Sequence, residues 1–169
     1  NEINCLNIQH LDLNIGCPSR TVNSHGGGSY LLSDLKLLEI VIKNIRSTFP
    51  HFLSAKIRVG YKDDTKYTDI LKLSEAEGVN QITVHARTRD QLYKGVADWK
   101  YIKKAVETVS IPIVGNGDIW SAQDIDKIFH ETGCHSVMIA RGAMKTPWLA
   151  KNYKEKLSPS EELQVRQKN

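Results

Sequence analysis

The chain has 169 residues, of which 40% are hydrophobic and 25% are charged, and its formal net charge is +4. This composition is typical of a soluble globular protein, and no apolar run approaches the about 20 residues of a membrane span. The modest positive charge permits a polyanionic partner but does not identify one. Three cysteines without CxxC spacing predict a reducing, cytoplasmic location rather than a disulfide-linked secreted protein.

Five short apolar runs along the chain predict β-strands. They cover residues 11–13, 53–59, 81–85, 111–115 and 136–140. Most of these runs are rich in β-branched residues and apolar at both odd and even positions, a pattern typical of strands that are covered on both faces.

Between the strand runs, apolar residues recur at helical spacing. The first pattern follows Ser33, the predicted N-cap, and consists of Leu35, Leu38, Ile42 and Ile45. A second pattern leads from Ile70 to Gly78, a residue suited to helix termination, and a third covers residues 98–109. Each interval therefore predicts a helix.

Two more helices are predicted towards the carboxyl end. Ser121, with Asp124 three residues later, indicates a helix start, and Gly133 is placed to end this helix. Residues 142–156 predict a last helix that Pro147 interrupts. Strands that alternate with helices in this way predict right-handed βαβ units and a parallel sheet.

The spacing of the predicted units, about 25 to 40 residues, suits a (β/α)8 barrel, the TIM-barrel fold. Five units cannot close eight strands, so the sequence predicts an α/β chain that covers about five βα units and belongs to a longer protein. Ser158-Pro159-Ser160-Glu161 predicts a capping box that opens a further helix. The alternative is an open, doubly wound five-stranded domain.

Cys17 follows the first predicted strand within the run Asn14-Ile15-Gly16-Cys17-Pro18. Parallel α/β folds assemble their active sites at the carboxyl ends of strands. Pro18 and three consecutive glycines at 26–28 predict an irregular, mobile loop, which a merely structural thiol does not need. The alternative interpretation is a buried structural cysteine.

Every predicted strand has polar residues or glycines at its carboxyl end. These residues are Asn14, Cys17, Lys56, Arg58, His85, Arg87, Asn116, Gly117, Asp118, Arg141 and Gly142. Because these ends share one edge of a parallel sheet, the residues predict a functional site at that edge. Arg141-Gly142 precedes a predicted helix, as in phosphate sites at helix starts, and Gly117 lets backbone amides approach a phosphate.

Each of these residues also has a structural interpretation. Lys56 could extend its ammonium group to solvent, and His85 could be a hydrogen-bonded core histidine. Asn116-Gly117-Asp118 could form a plain turn. The sequence contains no Walker loop, no GxGxxG and no HExxH motif, so neither a nucleotide-binding fingerprint nor a metal site is predicted.

Five motifs occur in order along residues 9–150. They are Asn14-Ile15-Gly16-Cys17-Pro18, Lys56-Ile57-Arg58, Val84-His85-Ala86-Arg87-Thr88, Asn116-Gly117-Asp118-Ile119-Trp120 and Ala140-Arg141-Gly142-Ala143. In this combination the chain resembles the tRNA-dihydrouridine synthases, flavin enzymes that reduce uridines in tRNA. The segment from Cys17 to Asn23, with the glycines that follow it, is most similar to the bacterial C subfamily, whose target is uridine 16.

The resemblance implies a fold and a domain organisation. Residues 1–156 would supply strands four to eight of an FMN-binding (β/α)8 catalytic barrel, and residues 157–169 would be a linker and the start of a helical tRNA-binding domain. It further implies a cytoplasmic protein, expected to be a monomer, that acts on tRNA without a membrane or a metal ion.

The resemblance also implies a reaction. NADPH would reduce FMN, and hydride would pass from flavin N5 to C6 of a uridine in the tRNA D-loop. Cys17 would be the catalytic residue, which protonates C5 from the opposite face. The base must leave its stack to reach the flavin, at a cost of a few kcal/mol.

The family motifs transfer individual roles to this sequence. Flavin contacts are implied for Lys56, His85, Asn116, Gly117, Asp118, Ala140 and Arg141. Uracil and tRNA contacts are implied for Asn14 and Tyr93, and contacts with the RNA backbone for Arg87, Arg89 and Lys94. Ala140 departs from the family, which usually has glycine at this position beside the flavin phosphate.

Three alternatives are open at this point. Another FMN barrel, such as a dihydroorotate dehydrogenase, also carries a cysteine or serine before proline, but it lacks the Val-His-Ala-Arg-Thr run. A Schiff-base aldolase would use Lys56 as its nucleophile and leaves Cys17 unexplained. The chain could also be a catalytically silent RNA-binding or structural fragment.

Overall fold

A computed structural model describes residues 7–156 and contains all five predicted strands. They are β1 (His10–Ile15), β2 (Phe52–Arg58), β3 (Gln81–His85), β4 (Ile113–Asn116) and β5 (Ser136–Met138). β4 begins two residues later than predicted, because the backbone N–H groups of Ser110 and Ile111 donate to the Glu75 carboxylate instead of joining the sheet. The strand predictions are therefore confirmed, with shifted ends.

Helices fill every interval between the strands. They are α1 (Arg20–Ser24), α2 (Leu35–Thr48), α3 (Tyr67–Ala76), α4 (Lys100–Thr108), α5 (Ala122–Thr132), α6 (Arg141–Lys145) and α7 (Leu149–Glu155), with a 3₁₀ helix at Gly28–Ser33. Ser121 is the N-cap of α5 as predicted and forms a capping box with Asp124, and Gly133 ends α5 with a φ of +66°. These local predictions are confirmed, since each depends on residues close together in the chain.

Two local predictions were wrong. The N-cap of α2 is Asp34, whose side chain accepts from the backbone N–H of Leu37, whereas Ser33 ends the 3₁₀ helix and donates to Tyr30. The segment after Cys17 is not irregular, because α1 and the 3₁₀ helix occupy most of it. The predicted last helix is divided into α6 and α7 on either side of Pro147, as its proline indicated.

The sheet is parallel throughout, and its strands follow the chain order β1-β2-β3-β4-β5. A doubly wound sheet reverses its strand order at a switch point, so the consecutive order excludes that alternative. Consecutive right-handed crossovers place all helices on one face, as in a (β/α)8 barrel. The chain thus has the α/β architecture of a TIM barrel, with five of its strands among residues 7–156.

The two faces of this sheet differ in polarity. The helix-covered face is apolar and includes Leu53, Ala55, Ile57, Ile82 and Val84, all without solvent exposure. The strand register brings polar residues together on the other face: Asp12, Asn14, Ser54, Lys56, Arg58, Thr83, His85 and Asn116. The prediction of apolar residues on both faces was therefore wrong, and the polar face leads directly to the candidate site.

The predicted capping box at 158–161 and the proposed domain start at 157–169 lie outside the described residues. None of the helices within residues 7–156 is long and apolar enough to cross a membrane. In the same range, no three His, Cys, Asp or Glu side chains are grouped so that they could hold a metal ion.

Candidate active site

A cleft of about 120 Å³ lies at the carboxyl rim, the edge formed by the carboxyl ends of the five strands. Its walls contain all seven residues predicted to bind the cofactor, together with Tyr93. The full lining is Lys56, His85, Tyr93, Asn116, Gly117, Asp118, Ile119, Trp120, Met138, Ala140, Arg141 and Gly142. Lys56 and Gly142, which are 86 positions apart in the sequence, therefore line the same cleft. Ligand pockets usually measure about 300–1,000 Å³. Because this cleft is smaller, its residues form only part of the wall of a binding site.

An ion-paired cluster around Asp118 supports this cleft. Arg87, with 1% of its side chain exposed, donates to both Asp118 oxygens at 2.6 and 3.2 Å and to the backbone carbonyls of Lys94 and Gly95. Its remaining donor points to His85, so all five N–H groups are engaged. The expectation that Arg87 faces the RNA backbone was wrong, because the guanidinium group is buried and its donors are already bonded.

Asp118 is itself a connecting residue. Besides Arg87, it accepts from the backbone N–H of Ala97 at 2.8 Å and from Arg141 at 3.0 Å. Burial acts to raise the pKa of the Asp118 carboxyl, but these donors and charges outweigh it and hold the pKa below its usual value. Asp118 thus orders the cleft wall as a carboxylate and orients Arg141.

Arg141 lies between two aromatic rings at the mouth of the cleft. Its guanidinium carbon is 4.7 Å from the centre of the Tyr93 ring and 5.0 Å from that of Trp120. Its side chain is 40% exposed, and Tyr93 is 56% exposed. Stacking and the Asp118 contact leave other donors of Arg141 directed to solvent. Trp120 was not predicted as a site residue, although it ends one of the quoted motifs.

Lys56 brings an unpaired ammonium group to the cleft. No hydrogen bond or ion pair engages its Nζ within residues 7–156. Burial, followed by repulsion from Arg58, lowers the pKa of Lys56 below its ordinary value, and Asp12 opposes this shift. A half-buried cation without a partner is costly, which favours an anionic or polar ligand at this position over the interpretation that Lys56 reaches solvent.

His85 is a neutral hydrogen-bonding group in the same wall. Burial, with the nearby charge of Arg58 as the next cause, lowers the pKa of His85 to about 3. Nη1 of Arg87 lies 3.4 Å from His85 Nε2. Because arginine only donates, Nε2 accepts and Nδ1 carries the proton. His85 can therefore offer one N–H to a ligand without adding charge.

Backbone close to β4 and α6 completes the cleft. The Asn116 side chain donates to the Met138 carbonyl at 2.7 Å and joins β4 to β5. A Cβ on Gly142 would lie 2.1 Å from the Ile119 carbonyl oxygen, so only glycine fits there. Gly117 has a φ of +123°, and a Cβ on it would lie 2.7 Å from Ala97. These glycines allow two chain segments to approach each other at the cleft.

Cys17 is a partly exposed free thiol on the loop after β1, and it is not part of the cleft lining. Its backbone carbonyl accepts from the Ser29 N–H at 3.1 Å, the Ser29 hydroxyl at 2.8 Å and the Asn23 amide at 3.0 Å. A Cβ on Gly28 would come within 2.9 Å of the same carbonyl oxygen. The exposure contradicts the interpretation of a buried cysteine, and the bonded loop fixes where the thiol lies.

Arg58 was predicted to lie at the functional edge, but the sequence assigned it no individual role. It is 2% exposed and donates to the carbonyls of Gly16, Thr88 and Leu92 at 2.8–3.0 Å. Burial lowers its pKa, although the guanidinium group stays charged. Arg58 therefore joins the segment that precedes Cys17 to the loop that carries Tyr93. Its place at a strand end was visible in the sequence, but its partners were not.

The remaining predicted residues lie around the cleft. Asn14 is exposed on the polar face, opposite Lys56 in the strand register, and accepts from the Gly16 N–H. Lys94 is exposed and close to Tyr93 in the chain. Arg89 packs over the Tyr61 ring and pairs with Asp90, and it belongs to a second cleft on the side of Cys17.

The fold and the polar carboxyl rim define a class of protein, the (β/α)8 barrels with a candidate ligand site at the strand ends. Among solved structures, the N-acetylmannosamine-6-phosphate 2-epimerase from Clostridium perfringens is similar in fold, with a TM-score of 0.52, 14% sequence identity, and coverage of 89% of this chain and 57% of that one. At this identity the similarity concerns the fold alone.

Sequence comparison identifies the family. The model of the dihydrouridine synthase family matches residues 2–168, and this chain belongs to that family. A tRNA-dihydrouridine(16) synthase from Neisseria meningitidis serogroup B is 41% identical over 147 residues, which cover 86% of this chain and 44% of that protein. One from Vibrio parahaemolyticus is 38% identical over 157 residues, which cover 91% and 49%. The chain spans about half the length of these curated relatives.

Proposed function

We propose that the protein to which this chain belongs reduces a D-loop uridine of tRNA to 5,6-dihydrouridine, with FMN as the redox cofactor and NADPH as the reductant. The observation that carries the proposal is the convergence of the seven predicted cofactor residues on one cleft, within a chain of the dihydrouridine synthase family. The relatives named for uridine 16 suggest that position as the target.

The donor set of the cleft fits FMN, an anionic cofactor with a phosphate and a polar ring edge. The cleft lining contains two cations, Lys56 and Arg141, and the single carboxylate of Asp118, with which Arg87 also pairs, so the wall carries net positive charge. The unpaired ammonium group of Lys56 suits an electron-rich ring edge, and Arg141 suits the phosphate. The single methyl group of Ala140 is exposed, so the departure from glycine leaves room at this position.

Bound FMN supplies hydride chemistry, in which the two electrons from NADPH reach C6 of the uracil. The positive charge of Lys56 stabilises negative charge on the ligand beside it, and that ligand supplies the partner that the ammonium lacks among the described residues. His85 is neutral, so its Nδ1–H group donates a hydrogen bond to the ligand and the ring does not act as an acid at physiological pH. Asp118 keeps Arg141 stacked and aimed. These residues bind and orient, and none has to change its protonation state.

Cys17 supplies the proton that completes the reduction. When hydride is added at C6, the thiol transfers its proton from Sγ to C5, and the C5–C6 double bond becomes a single bond. The hydrogen bonds from Asn23 and Ser29 to the Cys17 carbonyl hold the loop in one position during this transfer. Asn14 and the exposed ring of Tyr93 flank this region and contact the extruded base and the RNA next to it. We place the activity in the cytoplasm and expect a monomer.

The test compares variants of Cys17 and Cys134, the two cysteines within residues 7–156, in the full-length protein purified with its cofactor. The cofactor is released and identified, and dihydrouridine formed from tRNA and NADPH is measured by mass spectrometry. Cys17→Ala should lower uridine reduction at least 100-fold, because a positioned general acid contributes about 10²–10⁴ in rate, while NADPH still reduces the flavin. Cys134→Ala, at a buried thiol away from the cleft, should retain uridine reduction.

Two results would contradict the proposal. A colourless protein that takes up no added FMN would exclude the flavin function. Full uridine reduction by Cys17→Ala would remove Cys17 from the reaction while leaving the family activity in place.

A further inference from the structure

A second cleft, of about 520 Å³, opens at the carboxyl rim on the side of β1 and β2. Two arginines and two tyrosines dominate its walls: Arg20, Tyr30, Tyr61 and Arg89. The Tyr30 and Tyr61 rings meet edge to face at 6.0 Å, and Arg89 lies 5.0 Å from the centre of the Tyr61 ring. No carboxylate belongs to this lining. The cleft therefore offers aromatic faces and positive charge together.

The polar groups of these four side chains are largely unused. Within residues 7–156, neither Arg20 nor the two tyrosine hydroxyls make a side-chain hydrogen bond or ion pair. Arg89 uses only Nη1, which pairs with Asp90. By contrast, the buried Arg58 and Arg87 bond to several carbonyls each. Arginines that hold the fold are bonded to several partners, so Arg20 and the remaining donors of Arg89 are available to a ligand at this cleft.

The cleft is rigidly connected to the catalytic loop. Asn23, which lines the cleft, donates to the Cys17 carbonyl, and Ser29 donates to the same carbonyl directly before Tyr30. The Asn23 and Ser29 side chains also bond to each other at 3.2 Å. A group bound by Tyr30 and Arg20 therefore lies at a fixed distance from the Cys17 thiol. This arrangement suits the nucleotide next to the reacting uridine in the same RNA strand.

We propose that this second cleft binds a nucleotide of the RNA substrate adjacent to the one presented to Cys17. Its base stacks on Tyr61 with its edge towards the perpendicular ring of Tyr30, and its phosphate contacts Arg20 and Arg89. Single-stranded RNA is recognised in this manner, by aromatic stacking and arginine contacts with the backbone. The inference rests on the proposed function, since it assigns part of the tRNA site, and it places that part outside the cofactor cleft.

The experiment measures tRNA binding and turnover by the full-length holoprotein. Tyr61→Leu removes the ring but keeps apolar bulk, and it should raise the Kd for tRNA about tenfold, as expected for the loss of one stacked base. Tyr61→Phe keeps the ring and should retain wild-type affinity. Arg20→Gln should lower the slope of log Kd against log salt by about 0.7, the value for one phosphate contact of a single strand. Lys104→Gln, on the exposed side of α4, controls for the loss of a surface charge.

The outcomes separate this inference from the proposed function. Unchanged tRNA affinity and salt slope in Tyr61→Leu and Arg20→Gln, with active wild-type protein, would overturn the second cleft alone. A higher KM for NADPH with unchanged tRNA affinity would also overturn it, because the cleft would then hold the dinucleotide. Wild-type protein that binds tRNA through this cleft without reducing uridine would overturn the function and leave the cleft. Wild-type protein that binds no tRNA would overturn both.

Discussion

Two hydrogen-bonded clusters order the carboxyl rim, and they use opposite chemistry. The cluster at β3–β5 is ionic, with the Asp118 carboxylate held by Arg87 and Arg141. The cluster at β1 is neutral, with the Cys17 carbonyl accepting from Asn23 and Ser29. The ionic cluster forms the wall of a cleft that suits an anionic cofactor. The neutral cluster positions the Cys17 thiol through uncharged groups.

The difference shows how the rim separates support from ligand binding. In both clusters the most deeply buried supporting side chains, Arg87 and Ser29, are hydrogen-bonded by the protein itself. The groups that face the two clefts, Lys56 and Arg20, have no such partners among the described residues. A buried ion pair must compensate for the loss of hydration of both charges, while a neutral cluster carries a smaller cost. The two clusters should therefore respond differently to substitution and to pH.

The largest expected effect is on the ionic cluster. Arg87→Met keeps apolar volume but removes both contacts of Arg87 with the Asp118 carboxylate and frees two backbone carbonyls. Breaking one side of a buried pair costs about 3–5 kcal/mol, so urea denaturation should show a loss of about 3 kcal/mol in the free energy of unfolding. Lys127→Met, which removes a surface partner of Glu131, should cost less than about 1 kcal/mol. Equal losses of unfolding free energy in the two variants would mean that burial does not make the Arg87–Asp118 pair more important for stability than the surface Lys127–Glu131 pair.

A smaller effect is expected for the neutral cluster. Gly28 has a φ of +57°, and a Cβ on it would contact the Cys17 carbonyl, so Gly28→Ala combines backbone strain with displacement of the catalytic loop. We expect a loss of about 2 kcal/mol in the free energy of unfolding together with a lower kcat. Gly133→Ala, outside both clefts, is the matched control, because its φ is +66° and the nearest atom to the added Cβ is a Val106 methyl carbon at 4.0 Å. It should cost about 1 kcal/mol and retain kcat. A similar kcat for both variants would disprove the link between Gly28 packing and the thiol.

The smallest effect distinguishes the clusters by pH. His85 has a pKa of about 3 in the folded protein and about 6.5 when unfolded, so the unfolded chain binds more protons between these values. Stability should therefore fall as the pH drops through this window, by about 1.5 kcal/mol between pH 6.5 and 5. His85→Gln should remove this component in urea denaturation at the two pH values. The exposed His135→Gln controls for the loss of a histidine. An unchanged slope in His85→Gln would assign the pH dependence to other groups.

Sequence patterns were sufficient for features that depend on neighbouring residues or on strand alternation. The five strands were found because each is a short apolar run, and α5 was found with its cap because Ser121, Asp124 and Gly133 lie within one helix. The residues of the cofactor cleft could be predicted as a group without their contacts, since the carboxyl ends of parallel strands must share one edge. This geometric rule joined Lys56 to Arg141 across 85 positions.

Other features depended on partners that the chain supplies from a distance. Arg87 looked like an RNA-facing arginine, and only the fold brings Asp118, 31 residues later, against it and buries the pair. The Cys17 loop is ordered by hydrogen bonds from Asn23 and Ser29 to the Cys17 carbonyl. No local sequence pattern predicts these hydrogen bonds. The sequence by itself thus determined the order of elements and the edge at which the polar residues gather. Only the tertiary structure decided which of them are bonded into the protein and which are available to a ligand, because burial and pairing depend on contacts between distant segments.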